Sequence, residues 1–299
     1  MNWRNFLLVT VFGLSTLSFA QSNLLNAKTP AEIGKKTEAE KNADNDKPLP
    51  YGYIGDRDVF MGKTVWEIID VDQRVNFPMY YPVEANLSPD RKPLYDVLKQ
   101  GIRDGKITEV YDSGYFTTKK TLDEIEKSLK KIDTTDGGKE LINAGEKLEA
   151  DSEFINVTEI SAYDVKGYKI KGFWYFDKRQ GDLRYRLQGI CPLVPDVNTM
   201  GKDENKNDEP VELFWIYFPS ARDILHSAKA FNERNSAMPF TFDHLLNARR
   251  FNAVIYLEEN VYGDREIKDY MKENAQMQLL ESERVKEKIR NFELDMWNY

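Results

Sequence analysis

Cysteine and histidine are almost absent from this chain of 299 residues, which contains one cysteine and two histidines. A single cysteine excludes an intramolecular disulfide, and Cys191 ends an apolar strand pattern, which predicts a buried small hydrophobic residue. His226 and His244 fall inside predicted helices beside apolar residues. No His-Glu-x-x-His motif and no nucleophile elbow is present. The sequence therefore predicts no catalytic residue, no metal site and no cofactor.

Long hydrophobic runs are also missing. The apolar run from Phe6 to Leu17 follows Arg4 and precedes the small residues Ser18 and Ala20. A membrane-spanning helix needs about 20 apolar residues, so this shorter run is typical of a cleaved signal peptide, residues 1–20. We therefore expect a soluble exported protein.

Positive charge is in deficit. The net charge is −8 at pH 7, and removing residues 1–20, whose only charged side chain is Arg4, changes it to −8 − 1 = −9. An acidic surface repels the phosphate backbone of nucleic acids. Acidity and export together predict that nucleic acid is not a partner.

Composition divides the rest of the chain. Residues 21–50 are rich in Lys, Glu, Asn, Asp, Ala and Pro, which predicts a flexible linker. A polar stretch with Gly137 and Gly138 predicts a boundary between an N-terminal lobe, residues 51–138, and a sheet domain, residues 139–263. Apolar residues spaced through 264–299 predict a C-terminal amphipathic helix.

Two helices are predicted in the lobe. Residues with helical spacing begin at Leu94, and Asp104-Gly105 ends that helix. Thr121 and Glu124 form a capping box for the second, whose apolar side extends to Ile132.

The stretch from Phe154 to Val194 predicts a meander of three strands. Apolar and polar residues alternate with period two in both halves of it, and a polar loop with Gly181 separates the last two strands. Val211 to Phe218 predicts a further strand, buried on both faces. The expected fold class is α+β: a mainly antiparallel sheet with helices packed on it, preceded by a smaller helical and extended lobe.

Two pairs of acidic residues invite a metal site. Asp-x-Asp after an apolar run can bind a hard cation through carboxylate oxygens, but ordinary solvated turns explain such pairs more simply. With 5 Trp, 16 Tyr and 16 Phe in the chain, the pairs keep open an alternative function, a periplasmic glycan-binding protein or a metal-dependent hydrolase. The pairs are Asp56 with Asp58 and Asp70 with Asp72.

Charge geometry suggests self-association. Basic residues alternate along one side of the predicted meander, and the acidic pairs lie in the N-terminal lobe. Two ordinary solvated faces would give the same pattern. If instead the basic face of one subunit meets the acidic lobe of the next, the contact is heterologous and builds rings or filaments. The candidate basic contacts are Lys169, Lys171, Arg184 and Arg186, and the candidate acidic contacts are Asp56, Asp58, Asp70 and Asp72.

Three long blocks also carry a family resemblance: Tyr51 to Glu84, Gly167 to Asp196 and Leu213 to Arg265. They resemble the gliding motility protein family GldN and its secretion homologue PorN. The resemblance implies a periplasmic component of the type IX secretion system of Bacteroidota, at the periplasmic face of the outer membrane. It implies a ring formed with a GldK/PorK-like lipoprotein, contact with a GldM/PorM-like motor shaft, and no catalytic activity.

Overall fold

An antiparallel sheet of seven strands forms the centre of the structure. The structure is a computed structural model, and it describes residue 29 and residues 47–84, 92–144, 154–200, 209–232, 240–272 and 274–297. The strands of the described residues are β1 (Val59–Asp70), β2 (Val110–Tyr111), β3 (Lys130–Thr134), β4 (Ile155–Glu159), β5 (Gly167–Asp177), β6 (Asp182–Val194), β7 (Val211–Glu212), β8 (Trp215–Tyr217), β9 (Lys229–Ala230), β10 (Phe240–Thr241) and β11 (Val254–Glu258).

The helices of the described residues are mostly short. They are α1 (Phe77–Tyr80), α2 (Leu94–Arg103), α3 (Leu122–Leu129), α4 (Asp136–Asn143), α5 (Phe218–Ser227), α6 (Phe242–Asn247), α7 (Ile267–Tyr270) and α8 (Ala275–Trp297), with single 3₁₀ turns at Arg74–Asn76 and Ala162–Asp164. Among the described residues, no helix combines the length and the hydropathy that a bilayer crossing requires.

The central sheet runs in the order β11-β1-β5-β6-β8-β2, and β7 pairs with the end of β6. Strands β5 and β6 form the hairpin that the sequence predicted. Gly181 has φ +67° in its loop, a left-handed conformation that glycine adopts without steric cost. Two further pairs stand apart from this sheet, β3 with β4 and β9 with β10.

The main core lies between the sheet and the helices on one of its faces. Ile170 and Ile190 face each other across β5 and β6, and both are fully buried in the cluster that contains residues of α2, α5 and α6. We call this side the helical face. Helix α8 packs on β11, where Val285 and Ile289 join Val65 and Ile255 in a smaller cluster.

Helix α8 also satisfies the backbone of the outermost strand of the sheet. The Ile255 amide of β11 donates to Ser282 Oγ at 2.9 Å, and Lys286 Nζ donates to the Ala253 carbonyl at 2.7 Å. Ser282 is fully buried. Side chains of the terminal helix therefore occupy hydrogen-bonding positions that another strand would use.

Several sequence predictions are confirmed. The fold class is α+β, with helices on a mainly antiparallel sheet. The capping box of Thr121 and Glu124 is present at the start of α3. Cys191 is a free, buried thiol. The alternation of the hairpin and the short polar caps are local signals, which explains why they could be recognised.

Strand pairing crosses the predicted boundary between the lobes. Pro48–Phe231 and Phe240–Tyr299 form one compact unit, and β1, predicted within a separate N-terminal lobe, pairs with β5 and β11. Residues 51–138 and 139–263 therefore share one sheet, because pairing partners distant in sequence leave no local signal. The predicted signal peptide, residues 1–20, and nearly all of the predicted linker, residues 21–50, lie outside the described residues.

Strand pairing and element boundaries differ from the prediction in four places. The first strand of the predicted meander, β4, pairs with β3 and not with β5. Helix α3 ends at Leu129, so Ile132, expected on the helix, lies in β3. The predicted strand from Val211 to Phe218 is two short strands followed by α5, and the predicted C-terminal helix is divided into α7 and α8.

Candidate interaction surface

The predicted basic residues lie on one side of the sheet, opposite the helical face. Phe173 is the cross-strand partner of Arg186, and Tyr175 is that of Arg184. Directly paired residues of an antiparallel sheet project to the same side. Since side chains along a strand alternate, Lys169 and Lys171 share that side with Phe173 and Tyr175. We call Lys169, Lys171, Arg184 and Arg186 the basic face.

Lys171 is held by aromatic rings of its own chain. Its Nζ lies 4.9 Å from the ring centre of Trp66, 5.5 Å from Tyr115 and 5.1 Å from Phe116. The same atom donates to the Gly114 carbonyl at 2.9 Å. Burial lowers the pKa of Lys171 below its ordinary value. This lysine therefore fixes the loop that follows β2 and is not offered to a neighbour.

Lys169 and Arg186 also have partners within the chain. Lys169 Nζ is 2.7 Å from Glu212 Oε1 and lies over the ring of Tyr256 at 4.5 Å. The Arg186 guanidinium lies 4.6 Å from the ring centre of Tyr51 and donates to the Gly52 carbonyl at 3.2 Å. These contacts attach surrounding segments to the sheet.

Arg184 is the most available member of the basic face. Its side chain is 41% exposed, and its ion pair with Asp182 is long, at 3.6 Å. An exposed pair of this kind contributes about 0–1 kcal/mol to stability. Of the four predicted basic contacts, Arg184 therefore loses least in exchanging its present partner for another carboxylate.

The four predicted acidic contacts do not form one cluster. Asp56 and Asp58 precede β1, and Asp70 and Asp72 lie at its other end. A strand of 12 residues spans about 40 Å, so the pairs are far apart. Asp58 faces Arg179 of the same chain at 3.6 Å, and Asp70 accepts the Asp72 amide at 2.9 Å. Asp56 and Asp72 are exposed.

Sequence reasoning missed an uncovered apolar surface on the pair of strands β3 and β4, which we call the β3–β4 ribbon. Ile132 and Val157 are direct cross-strand partners and are 60% and 45% exposed. Ile155 and Thr134 pair on the same side of the ribbon. Within the described residues each strand pairs only with the other. The signal in the sequence was the alternation of β-branched residues in both segments.

The β3–β4 ribbon is joined to the body by charge. Glu159 Oε1 accepts from Lys99 Nζ at 2.6 Å and from Arg103 Nη2 at 3.1 Å, both on α2. These hydrogen bonds, that of Lys99 foremost, hold the pKa of Glu159 below its ordinary value. The Tyr95 hydroxyl also donates to the Ile160 carbonyl at 3.3 Å, directly after β4. The end of the ribbon that contains Glu159 is thus fixed to α2, while Ile132 and Val157 are exposed.

The described surface offers exposed apolar and charged side chains for contact. Within the described part of the chain, no group of three or more His, Cys, Asp or Glu side chains is placed to hold a metal ion. The Asp-x-Asp pairs act as turn and surface residues, as described above. Exposed β-branched residues, exposed charges and an open strand pair are features of surfaces that bind other proteins.

Comparison with known proteins gives one result. A family model described as "Gliding motility associated protein GldN" matches residues 54–298, which is most of the chain. No curated protein matches the chain.

Proposed function

The chain belongs to the GldN family of gliding motility associated proteins, and on that premise we propose that it is a non-enzymatic structural subunit that assembles with copies of itself into a ring. Membership makes the chain a component of the gliding motility and type IX secretion machinery. The family is a structural one and not a known enzyme family.

The proposed ring lies in the periplasm, at the periplasmic face of the outer membrane, after removal of the signal peptide. A GldK/PorK-like lipoprotein holds it at the membrane, and a GldM/PorM-like shaft protein contacts it from the other side. The predicted export signal and the family support this placement. Copies of the chain then reach the membrane only through these partners.

One observation supports self-association above all: the uncovered apolar side of the β3–β4 ribbon. A two-stranded ribbon alone is marginally stable in water and gains stability from a third strand or a packed face. Ile132 and Val157 give it an apolar side with no cover among the described residues. We propose that β4 of a second copy adds to the outer edge of β3, because the two strands already match in charge, with Lys130 opposite Glu159.

This contact would join two different edges of the same element. Such a heterologous contact repeats from copy to copy and closes into a ring when the rotation permits. Backbone hydrogen bonds supply affinity in strand addition, and the alternate side chains supply specificity.

The proposal is tested by co-expressing the chain with its lipoprotein partner and sizing the product by electron microscopy. The double variant Ile132→Thr and Val157→Thr keeps β-branched residues while removing apolar surface. We expect smaller assemblies or free subunits, with an unchanged Tm of the subunit. Val211→Thr is the matched control, because Val211 is also a partly exposed strand residue. Rings of normal size from the double variant would contradict the ribbon contact.

The basic face supplies a second proposed contact, between Arg184 and the exposed carboxylates Asp56 or Asp72 of a neighbouring copy. Arg184→Glu is expected to weaken assembly more at low than at high salt, because exposed charges are screened. Restoration of assembly by adding Asp56→Lys or Asp72→Lys would identify the acidic partner. If neither the single change nor the swaps alter assembly, this contact is wrong.

A further inference from the structure

A small pocket lies where the segment that precedes β1 meets the β5–β6 hairpin. Its volume is about 310 Å³, at the lower end of the range of about 300–1,000 Å³ that small-molecule sites typically enclose. Three arginines line it, Arg184 and Arg186 of β6 and Arg222 of α5, and none of the described lining residues is acidic. The pocket is therefore positively charged in a chain whose net charge is −8, and a concave surface lined by one sign of charge concentrates ions of the opposite sign.

One of the three charges is already neutralised inside the subunit. Arg222 donates to both carboxylate oxygens of Asp243, at 2.8 Å and 3.1 Å, and both residues are buried. A bidentate pair of this kind is among the strong charge-assisted interactions. Arg222 therefore contributes to the wall of the pocket, and the charge available to a ligand belongs to the other two arginines.

Arg184 and Arg186 carry charge that the described residues cancel only weakly. Arg184 has the long, exposed ion pair with Asp182 described above, in which Asp182 is itself 54% exposed. The Arg186 guanidinium is held by neutral groups, the Gly52 carbonyl at 3.2 Å and the ring of Tyr51. The two arginines are two positions apart on one side of β6, about 7 Å along the strand, so their guanidinium groups can meet on one oxyanion.

Tyr51 holds the pocket in shape before a ligand arrives. Its ring contacts two guanidinium groups, that of Arg186 at 4.6 Å and that of Arg222 at 4.3 Å from the ring centre. Its hydroxyl donates to Asn247 Oδ1 at 3.1 Å. These contacts fix the segment before β1 against β6, α5 and α6, and a preorganised site loses less conformational freedom when a ligand binds.

Much of the remaining wall is apolar. The ring of Tyr175 lies 5.8 Å from the Arg186 guanidinium, and Leu49, Pro50 and Ile54 also line the pocket. Leu49 is 81% exposed, so apolar surface is left for a ligand to cover, and covering it favours binding. The pocket therefore combines a charged side with an apolar side.

We propose that this pocket binds a small molecule that carries an oxyanion, a carboxylate or a phosphate monoester, on an apolar body. The guanidinium groups of Arg184 and Arg186 bind the charged group, because their paired N–H donors match the oxygens of carboxylates and phosphates. The apolar body packs against Leu49 and its apolar neighbours. The pocket shares Arg184 with the second proposed contact between copies, so a bound anion competes with that contact, but ligand binding itself does not depend on the proposed assembly.

Calorimetry on the purified full chain tests the proposal with four probes. Benzoate and phenyl phosphate combine an oxyanion with an aromatic ring, benzamide is a neutral molecule of similar shape to benzoate, and inorganic phosphate lacks the apolar body. We expect saturable binding of benzoate, of phenyl phosphate or of both, about tenfold or more tighter than that of benzamide or inorganic phosphate respectively. The tighter of the two identifies the oxyanion. Added salt should weaken the binding, because it screens the exposed charge of Arg184.

Two variants remove the charges of the pocket one at a time. Arg184→Gln should weaken anion binding by about tenfold or more, because a hydrogen bond between charged groups is lost. Arg186→Gln should have a similar effect, and its Tm is measured first because Arg186 also holds Tyr51. Arg179→Gln is the matched control and should bind as the parent does, because Arg179 also makes an exposed ion pair at 3.6 Å, with Asp58, and does not line the pocket.

The proposal is overturned if neither anion binds with a Kd below about 10 mM, if benzamide binds as tightly as benzoate, or if Arg184→Gln binds anions as the parent does. Assembly of Arg184→Gln with the lipoprotein partner is sized separately. Normal rings with lost anion binding support the pocket and contradict the Arg184 contact between copies, whereas altered rings with normal anion binding overturn the pocket and leave that contact standing.

Discussion

The central sheet and the β3–β4 ribbon are both antiparallel, yet the chain completes only the first of them. Ile190 in β6 is fully buried and has a fully buried cross-strand partner, Ile170. Ile132 in β3 faces Val157 in the same manner, but both remain largely exposed. The same kind of residue pair is therefore a core element in one place and an open surface in the other.

This difference in burial shows which apolar residues stabilise the subunit itself. In the sheet, helices of the same chain cover the aliphatic side, and burying such a side chain contributes roughly 1.5–3 kcal/mol. The ribbon obtains only part of that contribution within the subunit, because Ile132 and Val157 are 60% and 45% exposed. A partner that covers the ribbon would supply it, which links the comparison to the proposed assembly.

The largest expected effect is that of removing a buried charge from the helical side of the sheet. Asp243, which is 4% exposed, accepts from Arg222 at 2.8 Å and 3.1 Å. Asp243→Ala leaves the guanidinium buried and unpaired, and should lower the free energy of unfolding by about 3–5 kcal/mol. Denaturant melts measure this loss. Asp182→Ala, at an exposed ion pair, should cost less than about 1 kcal/mol, and equal losses would refute the distinction.

A matched pair of isoleucine variants tests the comparison directly. Ile190→Ala opens a cavity in the sheet and should cost about 2–5 kcal/mol. Ile132→Ala changes an exposed position and should alter the stability of the isolated subunit by no more than about 0.5 kcal/mol. Urea denaturation measures both changes in the free energy of unfolding, from the shift in the midpoint at an unchanged m-value. A large loss for Ile132→Ala in the free subunit would mean that the ribbon is already covered.

The smallest expected effect concerns the attachment of the ribbon to α2. Hydrogen bonds from Lys99 and Arg103 depress the pKa of Glu159 below its ordinary 4.5. The stabilisation is therefore present above pH 4.5 and is lost as pH falls through the lower pKa of the folded state. Glu159 is 40% exposed, so screening limits the effect to less than about 1 kcal/mol.

The parent and Glu159→Gln should differ in unfolding free energy at neutral pH and converge in acid. Hydrogen exchange of the Thr158 amide, which points toward β3, would show the same loss locally. A pH-independent difference between the two proteins would exclude the ion pair as its source.

Local sequence signals predicted the secondary structure of short segments. Alternation defined β5 and β6, and Thr121 with Glu124 defined the start of α3. Pairing across long sequence separations was not predictable in this way. Lys171 contacts Gly114, 57 residues earlier in the chain, so the aromatic rings that surround its ammonium group left no pattern in the sequence near it.

The ribbon was missed for a related reason. Helical spacing of apolar residues continues from Leu129 to Ile132. Ile132 nevertheless lies in a strand, because it pairs with β4, more than 20 residues away in sequence. Asp56, Asp58 and Asp72 lie in turns and Asp70 ends β1, and the separation of the two pairs depended on β1 being a single strand of 12 residues.

Ser282 and Lys286 occupy hydrogen-bonding positions along the outer edge of β11, so the edges of the subunit's sheets are not equivalent. Addition of a strand from another copy is disfavoured at that edge, whereas both outer edges of the ribbon stay open among the described residues. In the proposed assembly, one closed edge and one open ribbon would let neighbours add in a defined order.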